Sequence, residues 1–349
     1  MPPWRCRPYR VGDETRLAAL FEAVFDRPMT PAHWAWKLAR DDDPVPHVWL
    51  AVDDADCPIG QYAGIPRQVR LEGRDYRIMV AVDAMTHPRF RGRGVLTRMV
   101  REAHAAWRSA GVAFVLGMPN EQWGSRRAAL GWQPVTSLRW FVTPLNVEAV
   151  LARQMGWAGR FTRTPLSTLW SRWWDAPPLP GCRVREVVGG DALAAFEGQA
   201  AQDPADRRAR LNRDAPWMTR RLLERPQSPY RVLVAYQGQE ACGYSACQIQ
   251  HVGARRVGTL TELALGEPHA EVGRWLLRET LRRLRADGAD SVLALAVPGT
   301  ADDAMLRRAG FVFTRGTFSV QAVTLDERVS VQTLQRMEWI LRGSDFDLI

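Results

Sequence analysis

Residues 82–100 read VDAMTHPRFRGRGVLTRMV. An apolar strand enters at Val82, turns at His87-Pro88, passes through a short loop holding Gly92 and Gly94, and opens at once into a helix beginning near Val95. Glycines let consecutive backbone N–H groups point into one concavity with no Cβ in the way. The new helix adds the positive end of its dipole. A diphosphate suits such a cradle, and Arg89, Arg91 and Arg93 stand where they can add charge. A two-glycine loop is weak evidence by itself, since any strand-to-helix turn can carry it, so its surroundings decide the reading.

Upstream, Trp4 to Tyr9 reads as a short strand. Asp13 stands where it can cap a helix running to Phe25, with Leu17, Leu20, Phe21 and Val24 at helical spacing. Thr30 with Pro31 behind it opens a second helix carrying Trp34, Trp36 and Leu38, the tryptophans being expected in the core. Strands follow at His47–Val52, Ile59–Val69 and Tyr76–Thr86, the last two joined by Glu72-Gly73. Downstream, the helix from Val95 ends before Gly111, Val112–Leu116 is a buried strand leading to Met118-Pro119-Asn120, and a short helix ends at Leu130-Gly131 before Trp132.

The chain then repeats this order. Trp217 matches Trp34, Gly243 matches Gly60, Gly288 matches Gly111 and Gly310 matches Gly131, each pair about 180 positions apart. Such regularity points to a tandem duplication. The expected organisation is a first domain over 1–143, a linker over 144–181 with Trp157, Trp170, Trp173 and Trp174, and a second domain over 182–349. Linker tryptophans can mark a membrane-surface helix, but they more often pack a linker onto the domains it joins. The loop itself is not repeated. Its counterpart, ELALGEPHAEVGRW, places Glu267 and Glu271 where the first half has arginines, and these repel a diphosphate.

Composition narrows the class. The 349 residues are 46% hydrophobic, as in folded globular proteins. No apolar run is long enough to span a bilayer, and the basic start lacks the apolar stretch of a secretory signal, so a cytoplasmic location is expected. The net charge is +9, yet Lys37 is the only lysine. An arginine bias of this kind follows from a GC-rich genome, and no basic tail stands out, so nucleic acid is not the expected partner. Cys6, Cys57, Cys182, Cys242 and Cys247 form no metal-ligand spacing, and no metal is expected.

With this context, the segment H-P-R-F-R-G-R-G-V-L at 87–96 resembles the acyl-CoA pyrophosphate motif of the GNAT acetyltransferases. Read literally, Arg89–Gly94 matches it. Aligned on Pro88, the motif is Arg91-Gly92-Arg93-Gly94-Val95-Leu96, with leucine where the family usually has glycine or alanine, as in Eis-type acetyltransferases. The resemblance covers the first half strongly and the second only through element order. It implies two tandem GNAT folds, each a mixed, mostly antiparallel sheet flanked by helices (α/β in the broad sense, α+β). The second would be degenerate and would not hold the cofactor. A Rossmann site would instead need the glycines at the start of a parallel repeat.

The resemblance further implies acetyl-CoA as co-substrate, a small-molecule amine as acceptor, and direct attack of that amine on the thioester. Met85 and Thr86 would offer backbone hydrogen bonds to the cofactor arm. Arg91, Gly92, Arg93, Gly94, Val95 and Leu96 would hold its pyrophosphate, and Asn120 would face it. Asp83 interrupts the apolar strand MVAVDAM, so it is either the general base or a hydrogen-bonded structural group. Glu262, in the matching strand LTELAL, is the second candidate base. The tyrosine that many family members use as general acid has Arg127 in its place.

Asp41-Asp42-Asp43 reads as a solvated loop or as a lure for a cationic amine, and the tail GSDFDLI brings Asp345 and Asp347. A Fem-type aminoacyl transferase using aminoacyl-tRNA and a non-catalytic acyl-CoA sensor are the competing readings. A monomer or homodimer is expected.

Overall fold

The computed structural model describes residues 4–39, 43–120, 123–124, 126–146, 179–201, 208–227, 230–265 and 270–346. The tryptophan-rich segment 147–178, Asp41, Asp42, Glu267 and Asp347, all weighed above, lie outside the described residues.

In the first half the order is β1 (Trp4–Pro8), α1 (Glu14–Phe25), α2 (Pro31–Leu38), β2 (Val48–Asp53), β3 (Pro58–Leu71), β4 (Arg74–Thr86), α3 (Val95–Ser109), β5 (Phe114–Gly117), α4 (Arg126–Ala129) and β6 (Gln133–Pro144). The second half runs β7 (Cys182–Val187), α5 (Gly190–Ala201), β8 (Arg208–Leu211), α6 (Ala215–Leu222), β9 (Arg231–Gln237), β10 (Glu240–Val252), β11 (Arg255–Leu265), α7 (Ala270–Ala286), β12 (Ser291–Ala296), α8 (Ala301–Arg308) and β13 (Val312–Thr324). It closes with α9 (Val331–Arg336) and β14 (Glu338–Ile340). Apart from β8 and this closing segment, the two orders coincide.

Two compact units form. Unit 1 comprises 1–137, 205–212 and 318–339, and unit 2 comprises 138–204, 213–317 and 340–349. In unit 1, β1, β2, β3 and β4 pair antiparallel in sequence order, β4 pairs parallel with β5, and Gln321–Thr324 of β13 close the far side of β5 antiparallel. Unit 2 repeats the scheme. There β7, β9, β10 and β11 pair antiparallel, β11 pairs parallel with β12, and residues 139–144 of β6 run antiparallel to β12. Each compact unit therefore takes its last strand from the other half of the chain.

A parallel pair needs a crossover, and in unit 1 α3 supplies it between β4 and β5. The helix forms because Val95, Met99, Val100, Ala103, His104 and Trp107 make one buried stripe, while Arg98, Arg101 and Arg108 face outward. It covers one face of the sheet: Tyr62 lies with its ring 5.5 Å from Trp107 and its hydroxyl 2.9 Å from Nε2 of His104. The neighbouring residue, Gln61, points to the other face, where its Oε1 accepts from Nε1 of Trp34 on α2 at 2.9 Å. With both faces covered, β3 is buried without a break from Pro58 to Ile65, and burial alternates only from Arg67 to Leu71.

Helix starts follow the sequence in part. The Thr30 hydroxyl accepts from the His33 N–H at 3.1 Å, as the Thr-Pro pair predicts. Asp13 stands at the N-cap of α1 but makes no cap bond. Its carboxylate instead takes two bonds from Arg7, at 2.8 and 2.9 Å, because a bidentate guanidinium is the stronger partner. In α6 the buried positions are Ala215, Met218, Arg221 and Leu222, the last three spaced as Trp34, Lys37 and Leu38 are in α2. The burial pattern thus aligns Trp34 with Met218, one position from the match made on tryptophans.

His104 gives unit 1 a pH dependence. Burial, and secondarily Arg108, lower its pKa from 6.5 to about 4. The unfolded chain takes up a proton near pH 6.5 that the folded chain refuses until about pH 4, so stability is lost as pH falls across that window. The loss is up to about 3 kcal/mol. Urea unfolding at pH 7 and pH 5 should show it, and His104→Gln should flatten the dependence; an unchanged slope would contradict it.

Candidate active site

The site is built where β4 and β5 part. Their parallel register runs from Ile78 opposite Phe114 to Ala81 opposite Gly117 and stops there, although β4 continues to Thr86. Beyond that point a cavity of about 170 Å³ opens. One wall is Ala81, Val82, Asp83 and Ala84, and the facing wall is Gly117, Met118, Pro119 and Asn120. Trp123 and Trp132, from the core that α3 covers, close it on one side, and Phe25, at the end of α1, closes it on the other. Gly117 keeps the parting narrow: a Cβ there would lie 3.1 Å from the Trp132 ring and 3.3 Å from the Ala81 Cβ.

Asp83 and Asn120, proposed from sequence as base and cofactor contact, therefore stand around one cavity. Met85 is buried, and it pairs with Gln61 while Thr86 pairs with Gly60. The Thr86 hydroxyl is buried without a partner, at the end of β4 where the cofactor arm is expected.

The glycine loop follows directly. Gly92 and Gly94 adopt φ of +76° and +75°, a region that disfavours any side chain, and a Cβ built on either meets nothing within 4 Å. Gly94 is the N-cap of α3 and has no side chain to cap its first amides. Arg89, Arg91 and Arg93 are exposed around the loop. Arg91 Nε donates to the Thr86 carbonyl at 3.2 Å, and Arg93 lies over the Phe90 ring. An open backbone concavity, a helix N-terminus without a side-chain cap and flanking arginines fit a diphosphate. Val95 is buried and Leu96 half-buried, so these two anchor the helix start.

The sequence did not reveal what holds Asp83. It has φ of +45°, a left-handed value on a strand residue that is not glycine. It sits in a β-bulge, where Gln61 pairs with Met85 and Ala63 already pairs with Val82. Lys37 Nζ lies 2.5 Å from its Oδ2, with the lysine side chain only 2% exposed. Gln61 Nε2 donates to its carbonyl at 3.2 Å. The available signal was the lone lysine in an arginine-rich chain, one helical turn after Trp34.

Glu262 lies in unit 2 with a different environment. Its oxygens accept from Arg213 Nε at 3.1 and 3.2 Å, from Arg342 Nη1 at 3.4 Å and from the Ser344 hydroxyl at 2.5 Å. Burial pushes its carboxyl up, but Arg213 and Arg342 outweigh burial and hold it below the ordinary glutamate value. Asp345 is buried in the same network on Arg213, at 2.6 Å. Arg127 is half-buried on α4, its Nε directed at the Gly124 carbonyl, and is not among the residues around the unit 1 cavity. No tyrosine is among them either. Asp43 is ion-paired to Arg77 of β4. Among the described residues no cluster of histidine, cysteine or carboxylate side chains could hold a metal ion, and no helix is long and apolar enough to cross a membrane.

Residues 5–134 match the family model of the acetyltransferase (GNAT) domain. No curated protein matches the chain. Among solved structures, a GCN5-related N-acetyltransferase from Anabaena variabilis has a TM-score of 0.67 at 10% identity, covering 93% of this chain and 73% of that one. A conserved Enterococcus faecalis protein of unknown function, described as a probable N-acyltransferase, has a TM-score of 0.66 at 13% identity, covering 95% and 74%. A GCN5-related N-acetyltransferase from Kribbella flavida has a TM-score of 0.59 at 15% identity, covering 93% and 72%. At such identities these structures establish the fold: a mixed, mostly antiparallel sheet flanked by helices. The family match over residues 5–134 supports a transferase enzyme.

Proposed function

We propose that the chain is an acyl-CoA-dependent N-acyltransferase, moving an acetyl group from acetyl-CoA to a primary amine of a small molecule such as an amino sugar. The observation that carries this reading is the parting of β4 from β5 beside the Gly92–Gly94 loop. We read the opening between the strands as a channel for a thioester arm and the glycine loop that follows β4 as a cradle for its pyrophosphate. The arm would run along the edge of β4 beyond Ala81, with the Thr86 hydroxyl and Asn120 facing it.

The chemistry needs two substrates held together and one proton removed. The acceptor ammonium gives its proton to Asp83. The freed nitrogen lone pair attacks the thioester carbonyl carbon, the C–S bond breaks, and the second N–H proton passes through water to the departing thiolate, leaving the neutral amide and the free thiol. We assign Glu262 to the fold of unit 2, because its lone pairs are committed to two arginines and a serine. The coinciding element orders support a duplicated ancestor, with the cofactor held in unit 1 alone. A cytoplasmic monomer or homodimer is the setting we propose for it.

The test is thiol release from acetyl-CoA across a panel of amino sugars, aminoglycosides and amino acids. At least one primary amine should raise release well above the amine-free background. Binding of acetyl-CoA with no thiol release for any amine would contradict catalysis and support a sensor. Retention of tRNA on a filter at moderate salt, again with no thiol release, would support the aminoacyl-tRNA reading instead.

A further inference from the structure

Lys37 is the only lysine among 47 basic residues, and it is spent on a buried site. Helix α2 places Trp34 and Lys37 one turn apart on one face. Both reach the same point of β4. Trp34 holds the Gln61 amide, which donates to the backbone carbonyl of Asp83, and Lys37 meets the Asp83 carboxylate directly. Trp34 and Gln61 are completely buried. The anchored residue is one of the two that face Tyr62 in the bulge, and it keeps a left-handed backbone that a non-glycine residue avoids unless its surroundings impose it.

Packing alone does not call for this arrangement. A methionine at position 37 would fill the space without desolvating an ammonium, and a regular β4 would need neither the bulge nor the strain. The result of the strain is that a carboxylate borders the cavity at the parting of the strands. Strain retained by several buried contacts at a cavity wall is the pattern of a residue held for chemistry.

We propose that Lys37 is the positioning residue of the acyl transfer, fixing the Asp83 carboxylate at the cavity and supplying its counter-charge. This rests on the acyl-transfer reading above. When Asp83 takes the proton of the acceptor ammonium, the ion pair becomes an ammonium beside a neutral acid. A net positive charge then stands by the carbonyl oxygen and the departing thiolate while both carry negative charge. The proton afterwards passes to solvent, restoring the pair.

A double-mutant cycle separates this role from a structural one. Lys37→Met and Asp83→Asn, each assayed with acetyl-CoA and the best amine of the panel, should lower kcat about 100-fold. The KM for acetyl-CoA and its Kd by calorimetry should change less than about threefold, since the pyrophosphate loop is separate. The double variant should be no slower than Asp83→Asn, because Lys37 acts only through Asp83. Should Lys37→Met not fold, Lys37→Gln keeps a hydrogen-bond donor without the charge and should give the same pattern.

Losses that multiply in the double variant, or a lysine variant with wild-type kcat, would overturn the proposal while leaving the acyl-transfer reading intact. A wild type that neither binds acetyl-CoA nor releases thiol would overturn both.

Discussion

Arg213→Met should destabilise unit 2 by about 3–5 kcal/mol, the cost of leaving a buried charge unpaired. Arg213 bridges two carboxylates whose side chains are wholly inaccessible, Glu262 and Asp345. Burial works against its charge, but Asp345 and Glu262 prevail and raise its pKa further. Arg342 cannot take over both, since its guanidinium already serves Asp302 as well as Glu262. Without Arg213, Glu262 and Asp345 lose the cation they share, in a space that admits little water. The loss is a large fraction of the 5–15 kcal/mol that stabilises a typical domain.

Urea unfolding followed by tryptophan fluorescence measures the effect, and a change under about 1 kcal/mol would show the network to be solvated and dispensable. The same network predicts acid sensitivity. Glu262 contributes stability above its unfolded value of 4.5, and that contribution is lost as pH falls through its lowered folded value.

This network also shows where sequence stopped being informative. A polar residue inside LTELAL marks a carboxylate on a buried strand, as MVAVDAM does. Both were legible as unusual. What distinguishes them is the partner: two arginines, 49 and 80 positions away, for Glu262, and a helix lysine beside a cavity for Asp83. Local pattern carries no record of such distant pairings.

The same limit applies to the edges of the units. The strand at 321–324 reads QAVT, and nothing in it announces that it pairs with 114–117. Helix and strand order was legible because burial imposes periodicity on short windows, and α3 begins and ends where its glycines predict. The cap of α1 was misjudged because Asp13 had a better partner in Arg7.

The second large effect concerns the loop. Gly92→Glu should weaken acetyl-CoA binding at least ~300-fold, about 3.4 kcal/mol, while the fold persists. Space is not the obstacle, since a Cβ at Gly92 meets nothing within 4 Å. The change forces an L residue to a φ of +76°, costing about 1–2 kcal/mol if the loop keeps its shape. It also places a carboxylate in a concavity suited to a diphosphate, where like charges repel strongly.

Thermal unfolding of wild type and Gly92→Glu, each with and without excess acetyl-CoA, tests this most directly. At a hundredfold its Kd the ligand should stabilise wild type by about 2.7 kcal/mol, raising Tm, and should leave a still-folded Gly92→Glu unmoved. An unchanged wild-type Tm, or an equal rise in both proteins, would contradict the placement of acyl-CoA in this loop.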